Sequence, residues 1–349
     1  MAVITRLGAI VLISMILLLL SPSSVISPGG LPPLPEPVIP VDGTYRKAED
    51  VYRALDKLYE AYETITPLES GLSQVKRLPI PAFRIGNGPC ALLIVGGIHG
   101  DEWPVIGTVL YVAEQYARGM ISGAAYETGA TPPAPGAAAG NTADTPGALA
   151  RDASLSRDIA TVLQGRSVVV VPMLNPDGLG TSRYNGRGVD LNRNFDAGWA
   201  KAIGKKGNAP ESEAESKFLA DLTRRVKPDV VMAFHCFLDC VFWTYDQEGE
   251  CLKRDEEVAR SVIEAYGDLL HGGLQASSPT ESAHGGYKDW FIKEFRRPGF
   301  TIETPGRDRF GSLENMVKSD FWPRFQEASV RAGLNAVRTF LGYAQGEGQ

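Results

Sequence analysis

Three stretches of this chain offer no polar side to water. Ala91–Val95, Val168–Met173 and Val230–Phe234 run apolar residue after apolar residue, the second with four valines in a row. A strand with one wet face alternates apolar and polar residues, so an unbroken apolar run predicts a strand covered on both faces. The chain supplies the covers. Apolar residues recur at helical spacing in Tyr45–Tyr62, which Thr44 is placed to cap, and further helices are predicted over Trp103–Arg118, Asp158–Leu163, Glu211–Arg225, Asp255–Leu270 and most of Ser312–Leu341. Val75–Gly86 alternates as a strand before the Asn87-Gly88 turn, and Phe300–Glu303 reads as a short strand. Strands alternating with helices predict an α/β fold, a single domain with a mixed, largely parallel sheet flanked by helices. No internal repeat interrupts that order.

At 349 residues and 44% hydrophobic content, the chain can build a sizeable core without disulfides. A net charge of −6 argues against a nucleic-acid partner. Cys90 opens an apolar strand and reads as a buried thiol, and no pairing of Cys90, Cys236, Cys240 and Cys251 follows from their spacing. Cys236 adjoins His235, but neighbours on a strand point to opposite faces, which weighs against a shared metal.

The N-terminus reads as targeting. Arg6 precedes the uncharged run Leu7–Leu20, about 21 Å if helical and short of the roughly 30 Å bilayer core, and small residues follow over Ser21–Ser27. Residues 1–27 are therefore expected to be a signal peptide or an anchor, which makes the protein exported, secreted or tethered to the membrane outside the cytoplasm. Residues 28–43 hold six prolines and are expected to form a stiff linker. The domain proper spans 44–343, with a low-complexity insertion near 120–152. Gly129–Gly147 is its Ala-, Gly-, Pro- and Thr-rich centre, expected as a disordered surface excursion.

Chemistry enters where the first apolar strand ends, at Gly96-Gly97-Ile98-His99-Gly100-Asp101-Glu102. An imidazole and a carboxylate three residues apart make a good pair of zinc ligands, and catalytic zinc takes three protein ligands plus water. A lone His-x-x-Glu is more often a solvated pair, so the third ligand decides. The remaining histidines are His235, His271 and His284. His271 follows a helix and suits its C-terminal dipole, and Asp101 suits the start of the next helix with no part in chemistry.

Further motifs follow in order: Asn175-Pro176-Asp177-Gly178, then Gly188-Val189-Asp190-Leu191-Asn192-Arg193-Asn194-Phe195, then Val231-Met232-Ala233-Phe234-His235, then Phe300-Thr301-Ile302-Glu303. Together with His99-x-x-Glu102 they resemble zinc carboxypeptidases of the carboxypeptidase A type, over roughly residues 45–342 without the insertion. The resemblance implies one zinc ion per chain, held by His99, Glu102 and His235 with a position open for water. It implies Glu303 as the general base, Arg183 as the cation facing the developing oxyanion, and Asp190 as the carboxylate orienting His99. Asn192 and Arg193 resemble the family's clamp for a substrate carboxylate. Arg187 is either a surface residue or a contact for a second carboxylate, and His284 lies in a loop facing the site.

One departure bears on substrate. Pancreatic-type members carry a mobile tyrosine ahead of a Gly-Gly…Asp-Trp segment, whereas Ser277–His284 has none and Tyr287 follows the glycines instead. The wording Gly285-Gly286-Tyr287-Lys288-Asp289-Trp290 resembles bacterial γ-D-glutamyl-diaminopimelate peptidases, which cut peptidoglycan stem peptides. That places Tyr287 and His284 among the expected substrate contacts. Two rivals stand beside a stem-peptide peptidase. One is a carboxypeptidase trimming ordinary C-termini of proteins or peptides. The other is an inactive wall-binding protein, whose mark would be a lost ligand or a lost base, and none is lost.

Overall fold

A computed structural model of the protein describes residues 34–127, 146–276 and 284–346. The Leu7–Leu20 run and the centre of the low-complexity stretch lie outside the described residues. The strands are β1 (Ile65–Pro67), β2 (Gly71–Leu72), β3 (Pro79–Ile80), β4 (Phe83–Gly86), β5 (Cys90–Val95), β6 (Ser167–Val171), β7 (Val230–Phe242), β8 (Leu274–Gln275) and β9 (Gly299–Pro305). The helices are α1 (Ala48–Ala61), α2 (Pro104–Glu127), α3 (Pro146–Val162), α4 (Ala214–Val226), α5 (Gly249–Tyr266), α6 (Tyr287–Phe295), α7 (Arg307–Phe310), α8 (Leu313–Lys318) and α9 (Phe321–Gly346).

The main sheet runs β1-β4-β6-β5-β7-β8, with β9 also on β7, while β2 and β3 form a separate pair. β5 is parallel to both β6 and β7, and β4 joins antiparallel to β6. The sheet is therefore mixed and largely parallel at its centre. The apolar runs divide as their period of two requires. Leu92, Ile94, Val168, Val170, Met232 and Phe234 pack with Val109 of α2, Val258 of α5 and Val337 of α9. Leu93, Val95, Val169, Val171, Val231 and Ala233 pack on the opposite side with Leu219 of α4 and Trp290 of α6. Each such valine, leucine, isoleucine, methionine or phenylalanine contributes about 1.5–3 kcal/mol on full burial, so a charge at Val170 would break the core it fills.

Several local expectations change. Lys47, not Thr44, is the N-cap of α1, and it makes no side-chain cap bond. The stretch Val75–Gly86 is not one strand: Arg77 is left-handed at φ 56, and Pro79 and Pro81 remove ladder donors. The proline-rich segment is not a free spacer from residue 34 onward. Val38 and Ile39 donate their N–H groups to the buried Glu114 carboxylate at 2.6 and 3.2 Å, Ile39 joins the core, and Arg118 binds the Pro35 carbonyl. The insertion near 120–152 is helical at both described ends, because α2 continues to Glu127 and α3 starts at Pro146. β7 runs on past Phe234 to Phe242 through Asp239 at φ 56, and its register on β9 reverses there.

This topology places the site. From β5 the chain crosses to β6 on one side, then to β7 on the other, so connections diverge beyond the carboxyl ends of β5 and β7. In open α/β sheets that crevice is where ligands bind. His99 follows the end of β5, His235 lies on β7, and Glu303 on β9 stands in register with His235.

Candidate active site

Gly97 makes the turn after β5, with φ 58. Gly100 allows a close approach: a Cβ there would lie 2.2 Å from the Gly178 carbonyl carbon. The Asn-Pro-Asp-Gly turn is built for that contact. Asn175 Oδ1 accepts from the Gly178 N–H at 3.0 Å, and the Gly180 N–H donates to the Gly100 carbonyl at 2.7 Å. Asp177 serves the scaffold, accepting from the Ser73 hydroxyl at 2.7 Å and the Val75 N–H at 2.9 Å.

The structure brings His99, Glu102 and His235 together, all buried, with their ligand atoms within 4.8 Å of one another. Glu102 Oε1 is 2.7 Å from His99 Nδ1, and Oε2 is 3.0 Å from His235 Nδ1. The two Nδ1 atoms face each other at 3.1 Å. Two ring nitrogens aimed at one another and at a carboxylate converge their lone pairs on one point. That donor set fits a divalent cation of the zinc type better than a proton shared among buried groups. The Cys236 backbone N–H donates to Glu102 Oε2 at 3.2 Å, a contact with no signal in the sequence.

Asp190 sets the orientation. Its Oδ1 is 3.1 Å from His99 Nε2 and accepts the Asn192 N–H at 3.0 Å, while its Oδ2 accepts from Arg183 Nε at 3.1 Å. A hydrogen on Nε2 leaves Nδ1 of His99 as the lone-pair face toward Glu102. Arg183 also reaches Glu102 Oε1 at 3.4 Å and keeps about a third of its side chain exposed. Its guanidinium thus stands at the rim of the buried cluster.

The electrostatics follow from these contacts. Burial pulls the His99 ring down, yet Glu102 and Asp190 outweigh it and push it up to about 9. Burial raises Glu102, but His99 and His235 hold it down at about 2. Burial holds His235 below its usual value. Glu303 is buried, with Oε2 lacking a partner among the described residues. Burial first and the Glu102 charge second push its carboxyl up to about 8. A dication beside Glu102 would offset that second cause and bring the carboxyl closer to neutral pH, where a general base works best.

The other expected contacts separate. Asn192 Oδ1 accepts the Tyr287 N–H at 3.0 Å, which ties the Asn192-Arg193 turn to the start of α6. Arg193 is half-buried on that turn, with one guanidinium nitrogen on the Asn192 carbonyl at 2.8 Å. Arg187 lies on an exposed turn, 3.9 Å from the buried Glu213. His284 is buried against Gly198, and Nδ1 has no partner among the described residues. Tyr287 is a correction. Its ring is fully buried between Phe195 and Trp290, and its hydroxyl pairs with Thr223 at 2.9 Å. It is a core residue and cannot meet a substrate, because at the start of α6 its side chain turns inward onto α4. Two features escaped the sequence reading: the buried ion pair of Lys288 with Asp289, and a carboxylate oxygen of Asp289 near Gly286 beside Asn192. The sequence offered no distinguishing signal, because Lys293-Glu294 repeats the same charge pair on α6. His271 is exposed beside Asp239, away from the cluster, and all four cysteines are free thiols.

Comparison with known proteins agrees with this geometry. The chain is 28% identical over 319 residues to a γ-D-glutamyl-L-diamino acid endopeptidase 1 of Lysinibacillus sphaericus, covering 78% of this chain and 68% of that one. It is 31% identical over 161 residues to bovine carboxypeptidase B, covering 41% of this chain and 38% of the relative. The crystal structure of thrombin-activatable fibrinolysis inhibitor superposes with a TM-score of 0.64 at 18% identity, covering 87% of this chain and 77% of that one, which shows a shared fold. A zinc carboxypeptidase family model matches residues 147–325, just over half of the chain, a span that holds Asp190, His235 and Glu303 and stops short of His99 and Glu102. With the two missing ligands supplied by the turn after β5, the chain belongs to the zinc carboxypeptidase family, the M14 metallopeptidases.

Proposed function

We propose that this zinc metallopeptidase hydrolyses the amide bond between γ-D-glutamate and a diaminopimelate-type residue in peptidoglycan stem peptides. The observation that carries the proposal is the similarity, spread over 78% of the chain, to an endopeptidase named for γ-D-glutamyl-diamino acid bonds. His99, Glu102 and His235 are the residues to hold zinc. When bound, zinc supplies Lewis acidity that polarises a carbonyl and acidifies water. Glu303, buried and raised in pKa, takes the proton from the attacking water and returns it to the leaving amine. Arg183 offers its guanidinium where negative charge develops on the carbonyl oxygen. Asn192 and Arg193 hold a substrate carboxylate by paired hydrogen bonds, which suits a ligand rich in carboxylates.

Trimming of ordinary protein C-termini is the second reading, favoured by the 31% identity to carboxypeptidase B over a shorter span. Against it stands the Gly285 loop, where the one tyrosine after the glycines is locked in the core. The substrate proposed here lies outside the cytoplasm, and the Leu7–Leu20 run supports export. Among the described residues no helix is long and apolar enough to cross a membrane.

The test is mass spectrometry of the products of zinc-loaded protein given L-Ala-γ-D-Glu-diaminopimelate or a hippuryl-type L-amino-acid substrate. Release of diaminopimelate, with Glu303→Gln slower by about 10²–10⁴-fold at unchanged zinc content, is expected. Turnover of the hippuryl substrate alone would transfer the assignment to the second reading.

A further inference from the structure

The loop that carries Arg183 and Asp190 is strongly cationic in an acidic protein. Residues 183–206 hold six lysines and arginines against two acids, in a chain of net charge −6. The two acids are already engaged: Asp190 with His99 and Arg183, and Asp196 with Lys293. Among the described residues, no carboxylate lies within ion-pair distance of Arg193, Lys201, Lys205 or Lys206, so this stretch gathers several cations that no acid neutralises directly.

Lys205 and Lys206 are nonetheless fixed in place. The Asp190 N–H donates to the Lys205 carbonyl at 2.7 Å, so Lys205 sits one hydrogen bond from the carboxylate that orients His99. The Lys205 ammonium rests 4.0 Å from the ring centre of Tyr184, the neighbour of Arg183. Lys206 donates to the Trp199 and Ala200 carbonyls at 3.1 and 2.9 Å and lies over the Trp199 ring. Asn194 and Trp199 both donate to the Lys206 carbonyl, at 2.8 and 3.0 Å. Holding like charges together without counter-charge opposes folding. Such an arrangement attracts anions to the segment that carries Arg183 and Asp190, and the held lysines lose little freedom when one binds.

We propose that Lys201 and Lys205 form a cationic rim that binds a substrate carboxylate remote from the scissile bond, beyond the one assigned to Asn192 and Arg193. This rests on the stem-peptide reading, because a stem peptide presents several carboxylates and an ordinary C-terminus presents one. The rim then selects substrate by charge, and amidating that carboxylate weakens binding.

The experiment uses zinc-loaded full-length protein carrying Glu303→Gln, so that ligand is not consumed. Binding of L-Ala-γ-D-Glu-diaminopimelate, and of its analogue amidated at the glutamate α-carboxyl, is measured by calorimetry at about 20 and about 300 mM salt. The free acid is expected to bind more tightly at low salt, and the advantage to shrink at high salt. Lys201→Ala with Lys205→Ala should remove it, at roughly threefold per lysine, and Lys205→Arg should retain it. An advantage that survives the double substitution, or that ignores salt, overturns the rim. Cleavage of the tripeptide by wild-type protein without a rim effect sinks this proposal and leaves the function standing. A rim effect without cleavage does the reverse, and absence of both binding and cleavage overturns both.

Discussion

Replacing Asp190 with Asn tests whether this carboxylate governs metal affinity through His99. Oδ1 now serves both the His99 Nε2–H and the Asn192 N–H, and Oδ2 serves Arg183. An amide has one acceptor oxygen, so its NH2 must face one of these partners. Turned to Arg183, it sets two donors against each other at a position now 3.1 Å apart, and the guanidinium leaves the rim. Turned to His99, it demands an acceptor at Nε2 and drives the hydrogen to Nδ1, onto the face that meets Glu102 at 2.7 Å. Either way the negative charge that strengthens His99 as a donor is gone. Loss of such a partner costs about 10–100-fold in metal affinity, or about 1.4–2.7 kcal/mol. With the amide turned to Arg183 the oxygen still accepts the Asn192 N–H and caps the following turn, so the fold should survive in that orientation. Zinc affinity by competition with a chromophoric chelator, alongside the thermal midpoint of the chelator-treated protein, gives the answer. Unchanged zinc affinity at an unchanged midpoint would refute the role given to Asp190.

Three further outcomes follow from the same contacts. Tyr287→Phe removes the hydroxyl from Thr223 and should lower stability by about 0.5–1.5 kcal/mol in urea unfolding. Its KM should not move, and a KM change without a stability change would return Tyr287 to the substrate site. Gly100→Ala drives a Cβ toward the Gly178 backbone and should cost about 1–3 kcal/mol while weakening zinc binding. A variant as stable and as zinc-avid as wild type would show that the two turns are not locked together. In chelator-treated protein, burial lowers the His99 ring but Glu102 and Asp190 raise it to about 9, so its stabilisation is complete below the unfolded value near 6.5 and lost as pH rises through 9. Burial and the Glu102 charge raise Glu303 to about 8, which acts with the same sign, while His235, lowered by burial, has reached its full contribution above 6.5. The urea midpoint of the metal-free protein should therefore fall between pH 6.5 and 9, and zinc-loaded protein should resist the fall. A metal-free midpoint that rises across this window would contradict the contact set around His99.

Much of this was legible in the chain because the decisive interactions are either periodic or local. Unbroken apolar runs at β5, β6 and the start of β7 require cover on both faces, and the structure provides it. His99 and Glu102 lie on one tight turn, so their spacing alone brings them together. Irregular backbone was misread where positive φ and proline override alternation, as at Arg77 and Pro79. Segments that draw their stability from distant partners were misread too. Residues 34–43 look like a linker until Glu114, 76 residues beyond Val38, binds their N–H groups.

The residue types themselves determined an α/β sheet and a chemistry, because burial on two faces and metal affinity are properties of side chains. Tertiary structure decided which groups meet. His235 is 136 residues from His99, and Asp190 is 91 from it. Only the parallel register of β5, β7 and β9 brings His99, His235 and Glu303 to one crevice. The same packing sent Tyr287 into the core and set the Lys205 carbonyl on the Asp190 N–H. Which face of a short helix turns inward, and which charges find partners, depends on what the rest of the fold places opposite them.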